Sequence, residues 1–285
     1  MSTQAESKLY LALCQGIAEV RSAFRARHQE DIRISDEEIQ KRAEEKTPIL
    51  DMEKLKIEGK LLNEFFLDFL TLLQKHEVFN REEIDKFIAS KEKINFAELT
   101  RPVLTGDLRN LKSLSTQYQV GRDFLLFVGL NLGQALLELY ANKLTQKIDK
   151  ENWLKGNCPV CGNYPAMEKL RRDDGKRILH CSFCGTEWHF KRIMCPFCGN
   201  EDHNSLRYFF IEKDTLKEKT AFRVDVCDKC KRYIKTLDER KLPESEEPDL
   251  YLENLNTVYL DVLAQKDGYK SPTYWMMAAS EDIFV

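Results

Sequence analysis

The chain has 285 residues, 42% of them hydrophobic and 32% charged, with a formal net charge of -3. This balance excludes a fibrous, low-complexity or disordered chain and suits about two globular domains. An acidic protein is a poor electrostatic match to a phosphate backbone, and cysteines held as thiolates on divalent ions would make the sum more negative, so no nucleic-acid partner is expected.

The opening MSTQAESKLY lacks a basic segment followed by an apolar one, so no secretory signal is expected and the protein is placed in the cytoplasm. Residues 1–152 are expected to form an all-helical domain. Leu9, Leu13, Ile17, Val20 and Phe24 recur at three or four residues, as one buried helix face does. Cys14 lies on that side and reads as a buried structural thiol, whereas His28 and His76 read as surface residues. Ser35 followed by Glu38 has the form of a capping box, and Thr47-Pro48 ends the helix it starts. Leu61, Phe65, Phe69 and Leu72 mark a third helix, with shorter ones expected near 81–90, 95–100 and 106–118. The stretch from Phe124 to Lys147 predicts the longest helix. Its apolar part holds Asn131, Gln134 and Glu138 and is short for a bilayer, so a buried helix is expected and no membrane span.

Composition changes at Trp153-Leu-Lys-Gly156, where cysteine, glycine and short strand-like runs take over. Four Cys-x-x-Cys pairs follow: Cys158/Cys161, Cys181/Cys184, Cys195/Cys198 and Cys227/Cys230. Each such turn aims two thiolates at one point, so four turns imply two four-sulfur metal sites. Cys158-Pro-Val-Cys161-Gly-Asn163 is echoed by Cys195-Pro-Phe-Cys198-Gly-Asn200, each followed by a hairpin-like stretch and a second pair. The duplication favours sequential pairing, Cys158, Cys161, Cys181 and Cys184 at one site and Cys195, Cys198, Cys227 and Cys230 at the other; an interleaved, cross-braced arrangement is the alternative. In the first unit Met167–Arg172 and Lys176–His180 are strand candidates around Asp174-Gly175; in the second, Leu206–Glu212 and Ala221–Val226. The predicted modules span 153–192 and 193–240, and 241–285 carries a helix capped by Asp249 and a tail with Tyr274, Trp275, Met276 and Met277.

Four thiolates leave no open coordination position, so neither site is expected to be catalytic. The donor set does not separate zinc from iron. A structural staple is the plain reading, with redox activity of mononuclear iron as the alternative. His180, His189 and His203 read as neighbours of the sites or surface groups, and Trp188 as an aromatic packed on a knuckle. Glu187 has no evident structural role. Lys169, Arg171, Arg172, Lys176 and Arg177 form a basic hairpin that could touch phosphate, or be merely solvated.

The run Arg177-Ile-Leu-His180-Cys181-x-x-Cys184-x-Thr186-Glu187-Trp188-His189-x-x-Arg192 resembles the signature of the formate dehydrogenase accessory protein FdhE family. The other three pairs fit as well, with Tyr233 and Lys235, Asp249-Leu250, Asp261 and Gly268-Tyr269 beyond them, and Thr47-Pro48-Ile-Leu50 in the helical half. The acidic stretch that commonly precedes the C-terminal helix is reduced here to Glu-Pro-Asp249-Leu. The resemblance implies a non-enzymatic cytoplasmic factor with two rubredoxin-like modules and iron as bound metal. It would bind the formate dehydrogenase catalytic subunit and be needed for its assembly or activity. Glu187, Trp188 and His189 become the candidates for partner contact.

Overall fold

The computed structural model describes residues 2–28, 34–76, 79–210 and 221–271. The predicted tail aromatics Tyr274 and Trp275 lie outside them. Two compact units form: Met1–Ile34 with Leu50–Lys143, and Ser35–Ile49 with Leu144–Val285.

The first unit is helical: α1 (Ser2–His28), α3 (Gly59–Lys75), α4 (Arg81–Ala89), α5 (Phe96–Thr105), α6 (Leu111–Tyr118) and α7 (Arg122–Leu144), with α2 (Asp36–Glu44) belonging to the second unit. Its core is built from aromatic rings. Phe66 meets Phe87 and Phe96 edge-on at 5.7 and 5.3 Å, and Phe87 meets Phe124 at 5.3 Å. Such contacts add to the burial of large rings. Leu13, Cys14, Ile17 and Phe24 of α1 are buried as the periodicity predicts, but Leu9 is exposed. His28 is not a free surface group: its ring packs 4.8 Å from Phe24 and its Nε2 lies 3.1 Å from Glu64. The stretch Arg122–Lys147 is long and apolar enough to cross a membrane, yet 72% of its apolar window is buried, as in a core helix.

Residues 35–49, read from sequence as part of the helical domain, group instead with the second unit. Ser35 Oγ accepts from the Glu38 amide at 3.2 Å and caps α2. The break at Thr47-Pro48 then lets Ile49 N–H donate to the Pro159 carbonyl at 3.0 Å.

The two predicted modules share one six-stranded sheet in the order β3-β2-β1-β6-β5-β4: β1 (Pro165–Leu170), β2 (Arg177–Cys181), β3 (Glu187–Phe190), β4 (Leu206–Phe209), β5 (Phe222–Cys227) and β6 (Arg232–Asp238). Every pairing is antiparallel except β1 with β6, which runs parallel with Met167 opposite Lys235 and Leu170 opposite Asp238. Alternation along the strands gives the sheet two unlike faces. On one, Val224, Val226 and Tyr233 pack on Leu260 and Ala264, and Met167 and Leu237 on Leu250.

The helix expected after the Asp249 cap is two, α8 (Leu250–Asn256) and α9 (Val258–Lys266). Thr257 Oγ1 donates to the Glu253 carbonyl at 2.6 Å, and buried Lys235 Nζ takes the Asn254 carbonyl at 2.6 Å. That carbonyl is drawn out of the helical ladder, a recognised cause of a helix break. The break turns α9, so Leu260 and Ala264 are buried while Tyr259 and Val262 are exposed.

Candidate metal centres

Each metal site starts from a backbone device that the sequence repeats. Cys158 N–H donates to the Asn163 carbonyl at 2.8 Å and Gly162 N–H to the Cys158 carbonyl at 2.9 Å; the equivalents at Cys195, Asn200 and Gly199 measure 2.8 and 3.0 Å. Gly162 and Gly199 take φ of +79° and +70°, the left-handed region where a side chain is strained. This turn folds Cys158 and Cys161, or Cys195 and Cys198, toward one point.

The second pair of each site lies on the following hairpin. Cys181 ends β2 and Cys184 follows in the turn to β3, while Cys227 ends β5 and Cys230 precedes β6. The sulfurs group as Cys158, Cys161, Cys181 and Cys184, and as Cys195, Cys198, Cys227 and Cys230, each set within 4.8 Å. Sequential grouping, not the interleaved alternative, is therefore the geometry present. Sulfurs at tetrahedral metal–sulfur bonds of about 2.3 Å stand about 3.8 Å apart. The observed separations are 3.5 Å for Cys158–Cys184, 3.4 Å for Cys161–Cys181, 3.7 Å for Cys195–Cys230 and 3.8 Å for Cys198–Cys227. Both four-cysteine clusters could thus hold a tetrahedral metal ion. Burial, then the neighbouring thiols, push the Cys161 thiol well above its ordinary pKa. A divalent cation supplies the charge that lets four such groups persist as thiolates.

The sites differ in exposure. All four cysteines of the first are buried; in the second Cys198 is exposed and Cys230 half-buried. Both lie at the same end of the sheet, because parallel β1 and β6 each lead away from their own knuckle. Tyr164 and Phe197 stand between them with centroids 5.8 Å apart, and the Arg232 guanidinium lies over both rings.

The other residues singled out from sequence find definite places. Trp188 is 1% exposed and donates through Nε1 to the Lys155 carbonyl at 2.8 Å, so it belongs to the core and offers no contact surface. Glu187 gains the structural role that sequence did not suggest, an ion pair with Lys169 at 2.9 Å. His189 Nδ1 lies 3.0 Å from the Glu151 carbonyl oxygen. Burial lowers the His180 pKa, and its buried Nδ1 has no hydrogen-bond partner among the described residues.

The basic hairpin is engaged within the unit. Lys169 bonds Glu187 and Glu239, Arg171 and Lys176 bond Glu151, and Arg172 donates to the Leu242 carbonyl at 2.8 Å. Arg177 is buried against Glu168 at 2.6 Å and donates to the Met194 carbonyl at 2.7 Å, pinning the segment between the modules to the sheet. Sequence reasoning missed Glu168, Thr236 and Asp225. Thr236 Oγ1 donates to Glu168 Oε1 at 2.9 Å and also contacts Asp225.

Family models for the FdhE central domain and the FdhE C-terminal domain match residues 157–192 and 193–277. An FdhE homolog from Aquifex aeolicus is 29% identical over 241 residues, 84% of this chain and 77% of that protein. Protein FdhE of Escherichia coli K12 is 34% identical over 114 residues, which span 39% of this chain and 34% of that protein. The crystal structure of the FdhE protein from Pseudomonas aeruginosa aligns with a TM-score of 0.60 at 21% identity, covering 93% of this chain and 91% of that one, a likeness of fold. The knuckles, the hairpins between them and the order of the two modules are those of the matched domains, and residues 157–277 carry the central and C-terminal domains of the FdhE family.

Proposed function

We propose that the protein is a non-enzymatic accessory factor for formate dehydrogenase, binding the catalytic subunit in the cytoplasm and needed for its assembly or activity. The observation that carries this reading is the match to both FdhE domains over a sheet that presents two four-sulfur sites at one end. Closed four-thiolate sites favour a structural or recognition role over substrate chemistry. Glu187 and His189, half-buried on the edge strand β3, are the contacts proposed from the signature run. Co-purification tests the reading: tagged protein should retain the catalytic subunit, and the Cys181→Ser, Cys184→Ser double variant should lose it. Failure of the unmodified protein to retain the subunit refutes the function. Retention by the double variant removes the modules as the contact surface.

A redox role is the second reading, and the exposure of Cys198 favours it, since it brings one site to solvent. Iron held there would exchange electrons, and anaerobically purified protein should then show the charge-transfer absorption of ferric tetrathiolate. Zinc alone at both sites after anaerobic expression would end this reading.

A further inference from the structure

The last cysteine of each metal site is followed by the same local device. Gly185 comes after Cys184 with φ of +69°, and Lys231 after Cys230 with φ of +55°, both in the left-handed region. The next residue differs between the sites. In the first it is Thr186, 3% exposed, whose Oγ1 stands 3.1 Å from Cys184 Sγ. The Thr186 carbonyl accepts from Cys181 N–H at 2.9 Å, so this residue is tied to both cysteines of its hairpin. At the matching position of the second site, the Arg232 guanidinium lies over the Tyr164 and Phe197 rings instead. The side-chain donor to sulfur there is Asn200, whose Nδ2 is 3.7 Å from Cys227 Sγ and 2.7 Å from Ser205 Oγ.

A simpler account makes Thr186 a β-branched residue leading into an edge strand, with an incidental hydroxyl. The burial of that hydroxyl opposes this account. A buried hydroxyl is costly unless it is hydrogen-bonded, and Cys184 Sγ is the partner of Thr186 Oγ1 among the described residues. Metal also fixes the direction of the bond. A free thiol can donate to the hydroxyl, whereas a metal-bound thiolate has no proton and can only accept.

We propose that Thr186 is a positioning residue for the metal of the first site, its hydroxyl donating to the Cys184 thiolate and drawing negative charge off that sulfur. Four thiolates outweigh the charge of one divalent ion, and all four cysteines of this site are buried, where surplus charge is costly. Hydrogen bonds to metal ligands are worth about 10–100-fold in metal affinity. The inference is independent of the accessory role proposed above.

The test uses the full-length protein with both sites filled, checked by metal content, and the variants Thr186→Val, Thr186→Ala and Thr186→Ser. Valine keeps the shape and removes the hydroxyl, and serine keeps the hydroxyl. With cobalt(II), the sulfur-to-metal charge-transfer band of Thr186→Val should shift to longer wavelength, because a sulfur without its donor gives up charge more readily. With zinc, loss from the buried site to an excess chelator, read as the slower phase of release, should quicken about tenfold. The second site, which Thr186 does not touch, is the internal control. Thr186→Ala should shift the band as Thr186→Val does, which keeps the test open if the larger side chain perturbs the turn. Thr186→Ser should restore the band and the release rate. An unshifted band in Thr186→Val and Thr186→Ala overturns the proposal even if release quickens, since that combination reports lost packing alone. A shift of equal size in Thr186→Ser overturns it as well.

Discussion

A chelator should empty the two metal sites at very different rates. Ligand exchange at a four-thiolate site requires the chelator to approach the metal as a sulfur leaves. At the second site the exposed Cys198 sulfur provides that approach in the folded protein. At the first, all four sulfurs are buried, and the hairpin that carries Cys181 and Cys184 is packed around Trp188 and Phe190. Reaching that metal requires local opening of the hairpin. Opening that uncovers one buried aromatic ring costs roughly 3 kcal/mol or more, which is about two decades of population at about 1.4 kcal/mol per decade.

The assay loads the protein with zinc, adds an excess chromogenic chelator at neutral pH without oxygen, and follows release. Two phases of equal amplitude are expected, separated by about 100-fold. Cys198→Ser should remove the fast phase and leave the slow one. Release of both ions in a single phase, or loss of the slow phase in Cys198→Ser, would refute the reasoning.

A Cβ on Gly156 would lie 1.7 Å from the Pro196 carbonyl oxygen, a backbone atom inside the Cys195–Cys198 knuckle. Gly156→Ala should therefore displace the knuckle and lower metal stoichiometry, while Gly199→Ala, strained only by its φ of +70° in open space, should cost about 1–2 kcal/mol and keep both ions; equal metal content in the two variants would contradict this. Trp188→Phe removes the part-buried hydrogen bond to the Lys155 carbonyl and part of a buried ring, and should destabilise by about 1–3 kcal/mol in thermal unfolding. Unchanged stability together with lost partner capture would return Trp188 to a contact role. Burial, reinforced by nearby Asp225 and opposed by Arg177, pushes Glu168 up to about 7 from 4.5. The folded state then holds a proton that the unfolded state releases, so stability should fall as pH rises from about 5 to 7, and Glu168→Gln should flatten that slope. A slope unchanged in the variant would place the titration elsewhere.

The parts of this protein that were legible in its sequence are those encoded locally. Cys-x-x-Cys spacing, the repeated Cys-Pro-x-Cys-Gly-Asn turn and the spacing of Leu13, Ile17 and Phe24 each require only neighbours along the chain. What could not be read depends on distant partners. β3 is four residues long and shows as an aromatic beside a histidine, not as a strand. The β1–β6 pairing joins residues 167 and 235, which no periodicity links. Residue type also conceals burial when an ion pair is hidden with it: Arg177 counts as a surface charge until Glu168, nine residues earlier, is seen beneath it. The break at Thr257 likewise required knowing that Lys235 reaches the Asn254 carbonyl.

The parallel pairing also determines what a partner can meet. Two modules of this kind, joined only by a short linker, are free to face in different directions, and each metal site would then act alone. Here Arg177 ties residues 191–194 to the sheet and β6 runs beside β1 in the same sense. Both knuckle pairs are forced to one end of a continuous sheet, with Tyr164, Phe197 and Arg232 between them. A protein docking on that end encounters a closed, buried centre and an open one together. Any exchange of metal, electrons or contacts there would have to start at the second centre, where Cys198 is exposed, because all four cysteines of the first are buried.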